Sequence, residues 1–135
     1  MGIYLPSIRP SAFFAPNLPI LPDREAFMFV KEIDSHELAS WLASDNPPIL
    51  IDVRTPPEMA QASIPKGKPL PLTTLPLRLH EVPKNGKVVF YCRTGARSAQ
   101  ACMFMAQQGY DNVYNLHGGI VTWAQSGLPI APMSM

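Results

Sequence analysis

The sequence predicts an α/β domain: a central, mostly parallel sheet of about five short strands, with helices on both faces. Three observations carry this. Short apolar runs alternate along the chain with segments of helical spacing, the pattern that builds parallel sheets. The strongest runs, residues 49–53 and 87–91, are apolar almost throughout, as strands covered on both faces are. The chain has 135 residues, 47% of them hydrophobic, which suits one domain with a sizeable core.

The elements follow in order. Residues 1–26 form an arm with five prolines in the first 22 positions, so a regular helix is forbidden there. It is also apolar, with Phe13, Phe14, Leu18, Ile20 and Leu21, and reads as an extended segment packed on its own domain or on a partner. The domain itself spans residues 27–130, and 131–135 form a tail. Residues 27–30 read as a first strand. Asp34 stands three before Glu37, a helix start, and Leu38, Trp41 and Leu42 follow at helical spacing. Asn46-Pro47-Pro48 closes that helix. Residues 49–53 read as a buried strand, and Thr55-Pro56-Pro57-Glu58 as a second helix start. Residues 64–72 are irregular, with a short strand near Leu70. Residues 74–82 read as a short helix with Pro76 in its first turn. Asn85-Gly86 marks a turn. Residues 87–91 form the second strong strand, 92–97 a polar loop, and 97–108 a helix closed by Gly109. A strand over 113–116 and a helix over 120–125, closed by Gly127, complete the order.

Composition narrows the function. Charged residues are only 16% and the net charge is +1, which argues against a nucleic-acid binder with a broad basic face. Two cysteines, ten residues apart, and three scattered histidines give neither a disulfide framework nor a zinc pattern, so no metal or other cofactor is expected. No apolar run approaches the roughly 18 residues of a membrane span. The proline-broken N-terminus is a poor secretory signal. A cytoplasmic protein with reduced thiols is the expectation.

The chemistry concentrates in Tyr91-Cys92-Arg93-Thr94-Gly95-Ala96-Arg97-Ser98. A buried strand delivers Cys92 to its carboxyl end, where open α/β sheets bind ligands. The loop then wraps into a helix N-terminus, which turns backbone N–H groups inward as an anion nest. Gly95 permits the positive φ that such a loop needs. Helix dipole, Arg93 and Arg97 lower the thiol pKa, leaving a thiolate nucleophile without a neighbouring histidine. Cys102, among Ala101, Met103 and Phe104, reads as core.

In this order the motifs resemble those of a single-domain rhodanese, a thiosulfate sulfurtransferase-like family. The pieces are Leu50-Ile51-Asp52-Val53-Arg54 with Glu58, Ile64-Pro65, the Cys92–Ser98 loop, and Asn115-Leu116-His117-Gly118-Gly119-Ile120 with Trp123 and Gly127-Leu128-Pro129. The resemblance implies a rhodanese-like fold over about residues 28–130 and a persulfide mechanism. Cys92 takes a sulfane sulfur from a small anionic donor such as thiosulfate and passes it to a thiophilic acceptor, which could be a thiol or a sulfur-carrier protein. Arg93, Thr94, Gly95, Ala96 and Arg97 would bind the donor, with Asp52, Arg54 and Ser98 in support. The alternative is a carrier or interaction module that hands a persulfide to a dedicated protein partner. Phosphatase or arsenate reductase activity is disfavoured, because four residues separate Cys92 from Arg97 and the phosphatase loop is one residue longer.

The remaining residues carry modest expectations. Arg54 and Glu58, four apart, read as a pair. Trp123 reads as core and His117 as a surface residue near the loop. Lys66 and Lys68 read as part of a solvated loop. One departure from the family pattern is Ser63, where the family often carries histidine.

Overall fold

Five strands build the sheet of the computed structural model, which describes residues 29–132. Across the sheet they run β1 (Glu32–Ile33), β5 (Val113–Leu116), β4 (Val88–Tyr91), β2 (Ile49–Asp52) and β3 (Gly67–Pro69). Every pairing is parallel, and β4 lies between β2 and β5.

Alternation along the strands explains why they are apolar throughout. Successive side chains point to opposite faces. Val88 and Phe90 pack with Ile51, Val53, Ala101, Cys102 and Met105 on one face. Val89 and Tyr91 pack with Leu50, Leu38, Ile120 and Trp123 on the other. Each face is covered by helices. Helix α3 (Ala96–Gln107) covers the first, and α1 (Ser35–Leu42) and α4 (Gly119–Gln125) the second. Phe90 is fully buried, so replacing it by alanine would cost about 3–5 kcal/mol.

Local chemistry sets the helix starts. Asp34 Oδ1 accepts from the Glu37 N–H at 2.8 Å and caps α1. Helix α2 (Pro56–Gln61) begins with two prolines, and the Thr55 N–H donates to Glu58 Oε1 at 3.0 Å.

Two of the expected elements are corrected. Residues 29–30 are a turn and a bend, and the edge strand lies at Glu32–Ile33; Phe27 and Met28, with the rest of the expected arm, fall outside the described residues. The expected helix over 74–82 is two 3-10 segments, Leu72–Leu77 and Leu79–Glu81. Pro76 has no N–H to give to an α-helical ladder, and only Leu75 of the first segment is buried to hold one in place. The irregular stretch does contain its short strand, β3. Ala131, assigned above to the tail, exchanges backbone bonds with Ser63 at 2.7 and 2.9 Å, which ties it to the domain.

Candidate active site

Strand β4 ends at Tyr91, and Cys92 follows at its carboxyl edge. The Val53 N–H donates to Tyr91 O at 3.1 Å, so the strand is bonded up to the residue before the thiol. The chain then turns through Arg93 and Thr94 to Gly95, which starts α3 with φ +110°. A side chain at that φ would strain the backbone, hence the glycine.

Inside this turn Cys92 Sγ accepts from the Gly95 N–H at 3.1 Å and from Ser98 Oγ at 3.4 Å. Cys92 is only 1% exposed and also borders the apolar core of its face. Burial therefore pushes the thiol pKa up, and this is the largest single influence. It is outweighed by the Ser98 hydroxyl and the backbone N–H groups of Ser98, Gly95 and Thr94, so the net direction is down. The thiol is enclosed, but its enclosure is lined with donors. Cys102 contrasts with it: equally enclosed on α3, it has its pKa driven far up by burial. It is core, as its neighbours in sequence suggest.

The two expected basic groups part company. Arg93 is exposed at the loop, as are Thr94 and Ala96. Arg97 turns instead to Glu58 on α2, with Nη1–Oε1 at 2.8 Å and Nη2–Oε2 at 2.9 Å. Its charge is thus largely offset by a carboxylate, although it still senses the Cys92 charge. The Arg97 guanidinium in turn holds the Glu58 carboxyl at about 2, well below its ordinary 4.5.

The expected Arg54–Glu58 pair is therefore corrected. Arg54 precedes the N-cap Thr55, so spacing by four does not align it with Glu58 on a helix face. It turns back on Asp52 instead, with Nη2–Oδ2 at 2.7 Å and Nε–Oδ1 at 2.9 Å. It reaches Glu58 only through a 3.5 Å bond to the backbone carbonyl. Asp52 is fully buried and Arg54 5% exposed. The guanidinium lies 5.5 Å over the Tyr91 ring and also donates to Ala62 O and Ser63 Oγ. Asp52 and Arg54 brace the strand that neighbours β4, and among the described residues neither bonds to the loop. Ser63, the departure from the family pattern, is buried in this brace and donates to Met59 O at 2.9 Å.

A further group was missed by the sequence. Asn115 of β5 is 1% exposed. Its Oδ1 lies within hydrogen-bond distance of Ser98 Oγ, whose single proton serves either Asn115 or Cys92 Sγ, and its Nδ2 donates to Gly95 O at 3.2 Å and Glu32 Oε2 at 3.0 Å. Glu32 also meets Nδ1 of the exposed His117 at 2.9 Å. A line of polar contacts thus runs from Cys92 through Ser98, Asn115 and Glu32 to the surface. The signal was an asparagine in an otherwise apolar strand, where that residue is disfavoured. Lys68 makes a 3.6 Å ion pair with Glu81, and Lys66 is exposed. Among the described residues no cluster of His, Cys, Asp and Glu could hold a metal ion, and no helix is long and apolar enough to cross a membrane.

A parallel five-stranded sheet that presents a cysteine in a short loop before a helix defines a class, and the comparisons agree with it. The chain belongs to the family described as rhodanese-like domain, whose profile matches residues 34–126. A protein named sulfurtransferase from Allochromatium vinosum is 52% identical over 101 residues, covering 75% of this chain and 94% of that protein. The crystal structure of a rhodanese-like domain protein from Staphylococcus aureus superposes with a TM-score of 0.70 at 32% identity, covering 78% of this chain and all of that one. A rhodanese-related protein from Thermoplasma volcanium superposes with a TM-score of 0.69 at 28% identity, covering 75% and 97%.

Proposed function

We propose that this chain is a sulfurtransferase that carries sulfane sulfur on Cys92. The single observation that supports this most is the donor-lined seat of Sγ, with the Gly95 N–H at 3.1 Å and the Ser98 hydroxyl at 3.4 Å. The family match and the sulfurtransferase name of the Allochromatium relative point the same way.

With thiosulfate the balance is simple. The Cys92 thiolate attacks the outer sulfur. A Cys92–S bond forms, the thiosulfate S–S bond breaks, and its electron pair leaves with sulfite. The negative persulfide then inherits the N–H and O–H donors that held the thiolate. An acceptor thiolate, or cyanide in an assay, attacks the terminal sulfur and returns Cys92 as thiolate. Neither step needs a general acid, because sulfite and thiolate are both stable leaving groups. Arg93 supplies the exposed positive charge that draws the anionic donor, while Arg97 acts mainly through its bond to Glu58. Asp52 and Arg54 support the strand beside the loop. A cytoplasmic setting, in which free thiols stay reduced, suits this chemistry.

Turnover with thiosulfate and cyanide tests the reading. Steady formation of thiocyanate with one sulfite per cycle is the expected result. Slow turnover together with rapid transfer from a persulfide-bearing protein would favour the carrier reading. Absence of both would refute sulfur transfer.

A further inference from the structure

The loop does not orient itself; the start of α4 holds it from outside. The Ile120 N–H donates to Cys92 O at 3.0 Å, and the Val121 N–H donates to Arg93 O at 3.1 Å. In a trans peptide the C=O and the following N–H point in opposite directions, and no described peptide is cis. Fixing the Cys92 and Arg93 carbonyls towards α4 therefore turns the Arg93 and Thr94 N–H groups away from α4. The same turn brings the Gly95 N–H to Cys92 Sγ at 3.1 Å, and the Thr94 N–H further favours the thiolate.

This contact needs a bare backbone at residue 119. A Cβ there would lie 2.3 Å from Arg93 O and 2.6 Å from Cys92 O, and φ at Gly119 is +61°. No real side chain fits those distances, and backbone atoms cannot swing aside as a flexible side chain would.

We propose that Gly119 is a positioning residue: it lets the first turn of α4 grip the Cys92 and Arg93 carbonyls, and that grip holds the turn whose Gly95 N–H meets the reacting sulfur. The proposal rests on Cys92 being the working nucleophile, as argued above. It concerns ionisation of the thiol and not the identity of the sulfur donor.

Alanine scanning of the glycines separates this role from general strain. Gly127 shares a positive φ of +80°, but a Cβ there would meet nothing within 4 Å. Gly127→Ala is the matched control for backbone strain. The readout is the pH profile of Cys92 alkylation by iodoacetamide, followed by intact mass in the full chain. The substitutions leave unaltered the charged groups around the thiol: Arg93 on the loop, Arg97 with Glu58, Asp52 at the end of β2 with Arg54, and Glu32 with His117 beyond Asn115.

Gly119→Ala should move the alkylation midpoint up by about one pH unit, the scale of one lost hydrogen bond to a charged group. Gly127→Ala should leave the midpoint where it is. Val121→Pro is the second variant: it removes the N–H donor to Arg93 O and sets the proline ring against that carbonyl, so the grip on Arg93 is broken without a side chain at residue 119. It should also raise the midpoint, and it decides the matter should Gly119→Ala not fold. A folded variant of either kind with an unmoved midpoint, or an equal rise in Gly127→Ala, would overturn the proposal. Failure of the wild-type chain to take sulfur from thiosulfate would leave this test standing, since alkylation needs no sulfur donor.

Discussion

Replacing Glu58 by glutamine tests the electrostatic clamp on the loop helix. Glu58 accepts both outer nitrogens of Arg97, at 2.8 and 2.9 Å, and its carboxyl pKa falls to about 2 from an ordinary 4.5. The bond to Arg97 is the largest cause, followed by an opposing effect of burial and then by help from Thr55. Shielded from water, so large a displacement would be worth about 3 kcal/mol. The side chains are 35% and 28% exposed, however, and solvent screens most of that, leaving about 1 kcal/mol. The sign follows from the lowered pKa. The contribution is fully present above the unfolded carboxyl value and is lost as pH falls towards about 2. Urea unfolding of wild type and Glu58→Gln should therefore differ by about 1 kcal/mol at neutral pH and converge in acid. The amide oxygen of the introduced glutamine can still accept from Thr55, so the helix start survives. The released Arg97 also leaves more positive charge near Cys92, so the alkylation midpoint should fall. A stability gap that persists in strong acid, or none at neutral pH, would refute the reasoning.

Two further outcomes follow from burial. Arg54→Met strips the fully buried Asp52 of its ion pair and should cost about 3–5 kcal/mol in urea unfolding; a loss below about 1 kcal/mol would show that the pair is dispensable. Cys102→Ser should leave Cys92 alkylation unchanged, and native wild type should take up one alkyl group at mildly alkaline pH, the second adding only on unfolding. Two groups added to the folded protein would contradict the upward push of burial on the Cys102 thiol.

The legible parts of the fold were those fixed locally. Residues 88–91 and 113–116 are strands because both faces need apolar side chains, and α3 starts where Gly95 allows a turn that few other residues tolerate. The thiol and its loop were legible for the same reason, since strand, cysteine, glycine and helix are contiguous. What was missed depends on distant partners. Glu32–Ile33 is a strand only because β5 lies beside it; the more apolar residues just before it read better in isolation. Asn115 and Glu32 are 83 residues apart in the chain, so no local pattern joins them. Spacing by four suggested Arg54–Glu58, but the helix begins after Arg54, and a buried Asp52 offered the guanidinium a nearer carboxylate.

The most direct measurement is the intact mass of the protein after incubation with thiosulfate and removal of the excess. Wild type should gain the mass of one sulfur atom, release it to cyanide, and lose the capacity altogether in Cys92→Ser, whose fold should remain. No gain in wild type, or an equal gain in Cys92→Ser, would contradict the claim that sulfur travels on this thiol.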